Sequence, residues 1–133
     1  MAKRVREKAI ARAEARKEAR PFATAKYIRI SPYKVRAVLD VIRGKSYIEA
    51  RAILNALNKS SSDPILKVLD SAAANAEHNK HLNKDLLFVA ECYADQGSHI
   101  KRMQPVSKGR GHAILKRTSH ITVVLDAQTE GNK

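Results

Sequence analysis

Six fixed cations, Lys101, Arg102, Lys108, Arg110, Lys116 and Arg117, share a stretch with three histidines, His99, His112 and His120. No acidic residue lies between Asp95 and Asp126, which bound that stretch. Side chains of this kind hold phosphate, through charge-assisted hydrogen bonds and release of condensed counterions. The segment reads as one long β-hairpin, with arms running from about Gly97 to a tip at Lys108–His112 and back to His120. Gly109 and Gly111 are expected to supply the positive φ angles of a tight tip. Arms of about 11 residues would project on the order of 35 Å. Lys101-Arg102 and Lys116-Arg117 are expected to fall roughly opposite each other, which costs energy unless counter-charge is supplied. A thin ribbon with few apolar side chains has no core of its own, whereas a polyanion would both neutralise it and give it a surface to lie on. The arm has no aromatic residue, so phosphate contact and shape recognition should outweigh base stacking.

The whole chain points the same way. It has 133 residues and a net charge of +13, enough for one domain with a modest core and enough self-repulsion to favour an anionic partner. Basic charge can also serve solubility or attraction to an anionic membrane, but here it is concentrated in two segments. Cys92 is the single cysteine, so neither an intrachain disulfide nor a cysteine-based zinc cluster can form. The first residues lack the apolar run of a signal peptide and no stretch approaches 18 apolar residues, so a soluble cytosolic protein is expected.

Enzyme signatures are weak. Gly44-Lys45-Ser46 echoes the end of a phosphate-binding loop, but Leu39 stands where the first glycine belongs. Glu77, His78 and His81 lie near a helix end without a strong further ligand. Cys92 falls on the inward face of a strand, as an inert buried thiol would. No catalytic residue, metal or cofactor is expected.

The elements that carry the arm are legible. Residues 1–20 form a basic extension in which eight Lys and Arg outweigh Glu7, Glu14 and Glu18. Its helix propensity is high but it lacks an apolar stripe, so it is either a solvated tail or a helix stabilised against phosphate. Residues 21–126 are expected to form a single α+β domain, three helices packed on a small antiparallel sheet, with the basic hairpin 97–120 extending from it. Ala23–Ile30 alternates as a strand. Ser31-Pro32 then caps a helix carrying Val35, Val38, Leu39 and Ile42, which Gly44 closes. Ser46–Glu49 is a capping box for a helix burying Ala50, Ile53, Leu54 and Leu57. Asp63-Pro64 opens a third, with Ile65, Val68, Leu69, Ala72, Ala73 and Ala76 facing inward. The period then becomes two: Leu86, Phe88, Ala90, Cys92 and Ala94 are expected on one face, and Ile121, Val123 and Leu125 on that of the returning strand. Residues 127–133 read as a disordered tail.

Two architectures fit these elements. One is a ribosomal RNA-binding scaffold. The other is an architectural DNA-binding protein, which also joins helices to a basic β-arm but would want a dimer interface and a smaller body. This chain can close a core as a monomer, and no homo-oligomer is expected.

The residues also carry a family resemblance. Ala25-Lys26-Tyr27-Ile28-Arg29-Ile30-Ser31-Pro32-Tyr33-Lys34-Val35-Arg36, Val41–Lys45, Ser71–Asn79 and Lys108-Gly109-Arg110-Gly111 with Ile114–Val123 resemble the L-twenty-two family of large-subunit ribosomal proteins, over about Ala23 to Leu125. The resemblance implies a body on the outside of the large subunit and a hairpin that penetrates the large ribosomal RNA. The hairpin tip would contribute to the wall of the nascent-peptide exit tunnel, and members assist subunit assembly. Carried over, the arm contacts to RNA are Lys101, Arg102, Lys108, Arg110, Lys116, Arg117 and Thr118. Ser31, Tyr33, Lys34 and Arg36, with Asn75, His78 and Asn79, are the body-side RNA candidates. Met103, Gln104, Pro105, Val106, Ser107, Lys108, Gly109, Arg110, Gly111, His112, Ala113 and Ile114 are the tunnel-facing residues. The implied partners are large-subunit ribosomal RNA, neighbouring ribosomal proteins and the nascent peptide, with no membrane. Residues 1–20 inherit no role.

Overall fold

The computed structural model describes residues 2–18 and 20–128. Along the chain come α1 (Ala2–Glu18), β1 (Phe22–Ile28), α2 (Pro32–Ile42), α3 (Tyr47–Ala56) and α4 (Ser62–Lys80). They are followed by β2 (Leu87–Gln96), β3 (Ile100–Pro105), β4 (Gly111–Lys116) and β5 (Ser119–Ala127). The strands form a three-stranded antiparallel sheet in the order β1-β5-β2 and a separate two-stranded ribbon, β3-β4. The fold is α+β, with the three expected helices on the sheet and the extension adding a fourth, α1.

Local chemistry accounts for the helices. Ser31 takes the extended backbone of a cap residue and Pro32 sets the first turn of α2, although the Ser31 hydroxyl makes no cap bond. Ser46 Oγ accepts from the Glu49 N–H at 3.3 Å, which starts α3. His81 ends α4 in the left-handed conformation, its N–H bonding back to the Ala76 and Glu77 carbonyls.

One core lies between helices and sheet. Val35, Leu39, Ile42, Ile65 and Leu69 are wholly buried against Leu87, Val89, Ile121, Val123 and Leu125. Each such side chain contributes roughly 1.5–3 kcal/mol on removal from water. Ala72, Ala73 and Ala76 are buried on α4, and their small size lets that helix lie close over β1 and β5.

Three expectations need correction. The face assignment of β2 fails at Ala90. Val89 pairs with Leu125 but Glu91 pairs with Val124, so Ala90 is the extra residue of a β-bulge. The buried set is therefore Leu87 and Val89 before the bulge, and Cys92 and Ala94 after it. Strand β1 ends at Ile28 because the chain bulges between Ala25 and Ile28, with Tyr27 at φ 57°. Ala127 belongs to β5, where it pairs with Leu87. The Gln128 N–H then donates to the Leu86 carbonyl. The remainder of the tail lies outside the described residues.

Candidate nucleic-acid interface

The ribbon β3-β4 is a prong. Its residues from Lys101 to Lys116 are exposed except Val106, which is half-buried. The six-residue ladder spans about 20 Å. It is shorter than the expected arm because pairing lapses where the ribbon leaves the body: Gln96 faces Ser119, and the next ladder pair is Ile100 with Lys116. Three residues on the outgoing side thus meet two on the return. That extra residue changes the register. Lys101 faces Leu115, Arg102 faces Ile114, and Lys116 faces Ile100. The expected opposition of Lys101-Arg102 and Lys116-Arg117 is not what forms, and the stagger avoids like charges in direct pairs.

Partners in an antiparallel ladder share a face, so the register also sorts the chemistry. Arg102, Gln104, His112, Ile114 and Lys116 lie on one face of the prong. Lys101, Met103, Pro105, Gly111, Ala113 and Leu115 lie on the other. The prong is cationic on both faces, as a rod surrounded by anions would be.

At the tip the Val106 N–H donates to the Arg110 carbonyl at 2.8 Å, closing a three-residue turn. Lys108 and Gly109 take positive φ there, 59° and 70°. Gly111 does not. It is placed where any Cβ would press on the side chain of Met103, so its use is close approach across the ribbon and not a left-handed turn.

The prong base is built from Gly97, Ser98, Thr118 and His120. The Gly97 N–H donates to the Thr118 carbonyl at 2.9 Å, and Thr118 Oγ1 donates to the Ser98 carbonyl at 2.7 Å. Thr118 is only 3% exposed. A direct RNA contact from its side chain does not fit that burial; it shapes the arm instead. Beside it, the Tyr27 N–H donates to His120 Nδ1 at 3.0 Å and the two rings meet edge to face at 4.8 Å. This contact holds Tyr27 in its left-handed conformation and fixes His120 as the tautomer with a free Nδ1 lone pair.

The body-side candidates divide between two ends of the sheet. Ile28 pairs with Ser119 at the prong base, while Phe22 pairs with Val124, five residues or about 17 Å away along β5. Ser31, Tyr33, Lys34 and Arg36 belong to the prong end. Arg36 donates from Nε and Nη2 to the Ala94 carbonyl at 3.0 and 2.9 Å, and its guanidinium lies 5.3 Å from the Tyr33 ring centroid. Arg43, just past the end of α2, donates to the Cys92 carbonyl at 3.0 Å. Arg36 thus gives two N–H groups to the free edge of β2 while staying exposed, as Tyr33 and Lys34 beside it are. Asn75 belongs to the far end, where its Nδ2 donates to the Phe22 carbonyl at 2.9 Å. His78 and Asn79 are exposed one turn further on.

The outer face of the sheet separates these two ends. Glu91, Asp95 and Asp126 pair with Val124, His120 and Phe88, opposite to the core-facing set. Arg20 forms an ion pair with Glu91 across that face. Glu91 lies level with Phe22 and Asp95 beside the prong base, so this face is not a continuous cationic path for phosphate.

The remaining candidates have structural roles. Cys92 is buried, its thiol pKa is raised by burial and partly lowered again by Arg43, and Sγ meets the Leu39 carbonyl at 3.4 Å. Glu77 pairs with Lys84 at 2.7 Å, which holds its carboxyl below the usual range. No cluster of metal-ligating side chains occurs among the described residues. Sequence reasoning missed Gly97, Tyr27 and His120 as the fixtures of the prong base. A glycine just before a basic arm was the available signal for the first.

Residues 23–126 match the family described as ribosomal protein L22p/L17e. This chain belongs to that family. It is 52% identical over 109 residues to large ribosomal subunit protein uL22 of Desulfitobacterium hafniense (strain DSM 10664 / DCB-2), covering 82% of this chain and 96% of the relative. Against the protein of the same name from Nostoc punctiforme, identity is 55% over 108 residues, covering 81% and 92%. For that of Deinococcus radiodurans it is 51% over 112 residues, covering 84% and 82%. Family membership makes the chain a structural ribosomal protein and not an enzyme, working with the ribosome in the cytoplasm. The prong lies wholly within the matched segment, whereas α1 lies wholly before it.

Proposed function

We propose that this protein is a structural constituent of the large ribosomal subunit that binds large-subunit ribosomal RNA chiefly through its prong and assists subunit assembly. The observation that carries this reading is an acid-free ribbon, cationic on both faces and exposed along its length. Such a ribbon gains a defined orientation only when anions surround it. Lys101, Arg102, Lys116 and Arg117 neutralise phosphates along the shaft, with Lys108 and Arg110 at the tip. Tyr33 and Lys34 extend the same contact onto the body. Neighbouring ribosomal proteins cover other parts of that body.

The tip, Met103 to Ile114, is the part we assign to the wall of the nascent-peptide exit tunnel, on the strength of the family resemblance. Its narrow three-residue turn suits insertion between RNA segments, because nothing broader than the ribbon stands at its end. The mechanism is charge neutralisation with shape insertion, and no chemistry on a substrate.

The test places a photocrosslinker on the protein in translating ribosomes, through an Arg110→Cys variant in a Cys92→Ser background. The protein is expected to sediment with large subunits through a high-salt wash, and the tip to crosslink nascent peptide. Sedimentation without nascent-chain crosslinks would remove the tunnel assignment. Loss of the protein in the wash, with the variant folded, would remove the RNA-scaffold reading as well.

A further inference from the structure

We propose that α1 is a second RNA-binding arm, which engages a segment of RNA distinct from that held by the prong, so that the protein clamps RNA from both ends of its sheet. The proposal rests on the RNA-scaffold reading above and extends it to a part of the chain outside the family match.

Helix α1 cannot be a core element. It spans 17 residues, about 26 Å, and its described side chains from Lys3 to Ala15 are all exposed, Val5 at 66% and Ile10 at 50% among them. It has no apolar stripe with which to line a coiled coil or lie on a membrane. What it has is charge. Arg4, Lys8 and Arg12 recur every fourth residue and so form one row, while Lys3 and Arg6 place cations on other faces. Glu7 and Glu14, seven apart, are confined to one stripe. A row of like charges at that spacing destabilises an isolated helix, and a helix of this length is marginal in water to begin with. A polyanion on the cationic faces reverses the sign of that repulsion.

Position decides that this arm reaches a different RNA segment. Helix α1 joins the sheet through Arg20 and Pro21 at Phe22, the end of β1 remote from the prong. The two arms therefore leave the body about 17 Å apart along β5. The outer sheet face between them carries Glu91, paired with Arg20, and Asp95, so no continuous cationic track links them. Near α1 the exit point is shared by the end of α4, where His78 and Asn79 are exposed and Asn75 is tied to Phe22. These groups belong to the second contact, not the first. Two contacts joined by a rigid body raise the effective concentration of each for its own RNA segment.

The experiment compares three full-length proteins on a large-subunit ribosomal RNA transcript: wild type, an α1 variant (Lys3, Arg4, Arg6, Lys8 and Arg12→Gln) and a prong variant (Lys101, Arg102, Lys116 and Arg117→Ala). Glutamine preserves helix propensity, and circular dichroism checks that the body remains folded. The readouts are the slope of log affinity against log salt and the hydroxyl-radical footprint. The α1 variant is expected to lower the slope by about 4 if each of its five charges meets a phosphate. It should also erase protections that the prong variant keeps. An unchanged slope would overturn the proposal, and so would loss of the same protections in both variants. If instead the prong variant binds as wild type does, the scaffold reading fails, whatever α1 does.

Discussion

Thr118 occupies the space that a side chain on Gly97 would need, and each residue bonds the other's strand. The Gly97 N–H donates to the Thr118 carbonyl, Thr118 Oγ1 donates to the Ser98 carbonyl, and a Cβ on Gly97 would run into that same Oγ1. The junction between body and prong thus requires a residue without a side chain at 97 and a hydroxyl at 118. A Gly97→Ala substitution is expected to cost about 1–3 kcal/mol, the usual range for overpacking a filled site. Thr118→Val keeps the volume but leaves the Ser98 carbonyl without its donor, for a loss of about 1 kcal/mol. Urea unfolding of the two variants measures both effects. Wild-type stability in Gly97→Ala would mean that the junction yields freely.

The prong should be dispensable for folding. Its side chains contribute nothing to the core, which is closed by α2, α3, α4 and the three-stranded sheet. Replacing Met103–Ala113 with Asn-Gly joins Arg102 to Ile114, residues that already face each other, through a two-residue turn suited to a hairpin. The shortened protein is expected to unfold in one cooperative transition, with a midpoint within a few degrees of wild type. Loss of that cooperative transition on heating would show that the prong supports the body after all.

These two cases mark how far the sequence could be read. The stripes Val35-Val38-Leu39-Ile42 and Ile65-Val68-Leu69-Ala72 announced their helices because packing on one side imposes a 3.6-residue period. The prong announced itself by the absence of acids. Register was a different matter. Ala90 breaks the alternation of β2, and the unequal spacers 97–99 and 117–118 shift the ribbon again. A bulge adds a residue without changing composition or local hydrophobicity, so an alternation count carries straight through it. Arg36 was ambiguous for another reason. An arginine near a helix start looks the same in sequence whether it reaches outward to phosphate or inward to Ala94.

That ambiguity leads to a direct expectation for Arg36. Two N–H groups of one guanidinium reach the Ala94 carbonyl, a geometry that an ammonium group cannot reproduce. Arg36→Lys is expected to lose about 1–2 kcal/mol of folding stability, on the scale of hydrogen bonds made by a charged group. The salt dependence of RNA binding should hardly change. If Arg36→Lys were as stable as wild type but flattened the salt slope, the side chain would belong to the RNA contact and not to the sheet edge.

The sorting of charge between the two faces of the prong makes the last expectation quantitative. Lys101 stands on one face, Arg102 and Lys116 on the other. A prong threaded through RNA meets phosphate on both sides, whereas one lying on an RNA surface meets it on a single side. Under threading, Lys101→Ala and the pair Arg102→Ala with Lys116→Ala should each flatten the salt slope in proportion to the charges removed, by roughly 0.7–0.9 per phosphate contact. Under surface contact, one of the two variants would leave the slope as it is. Affinity measured between low and moderate salt on the same transcript separates these outcomes. The grouping also tests the register, because Lys116 joins the face of Arg102 only through the pairing of Ile100 with Lys116. Had Lys116 shared the face of Lys101, the same test would group Lys101 with Lys116 and leave Arg102 alone.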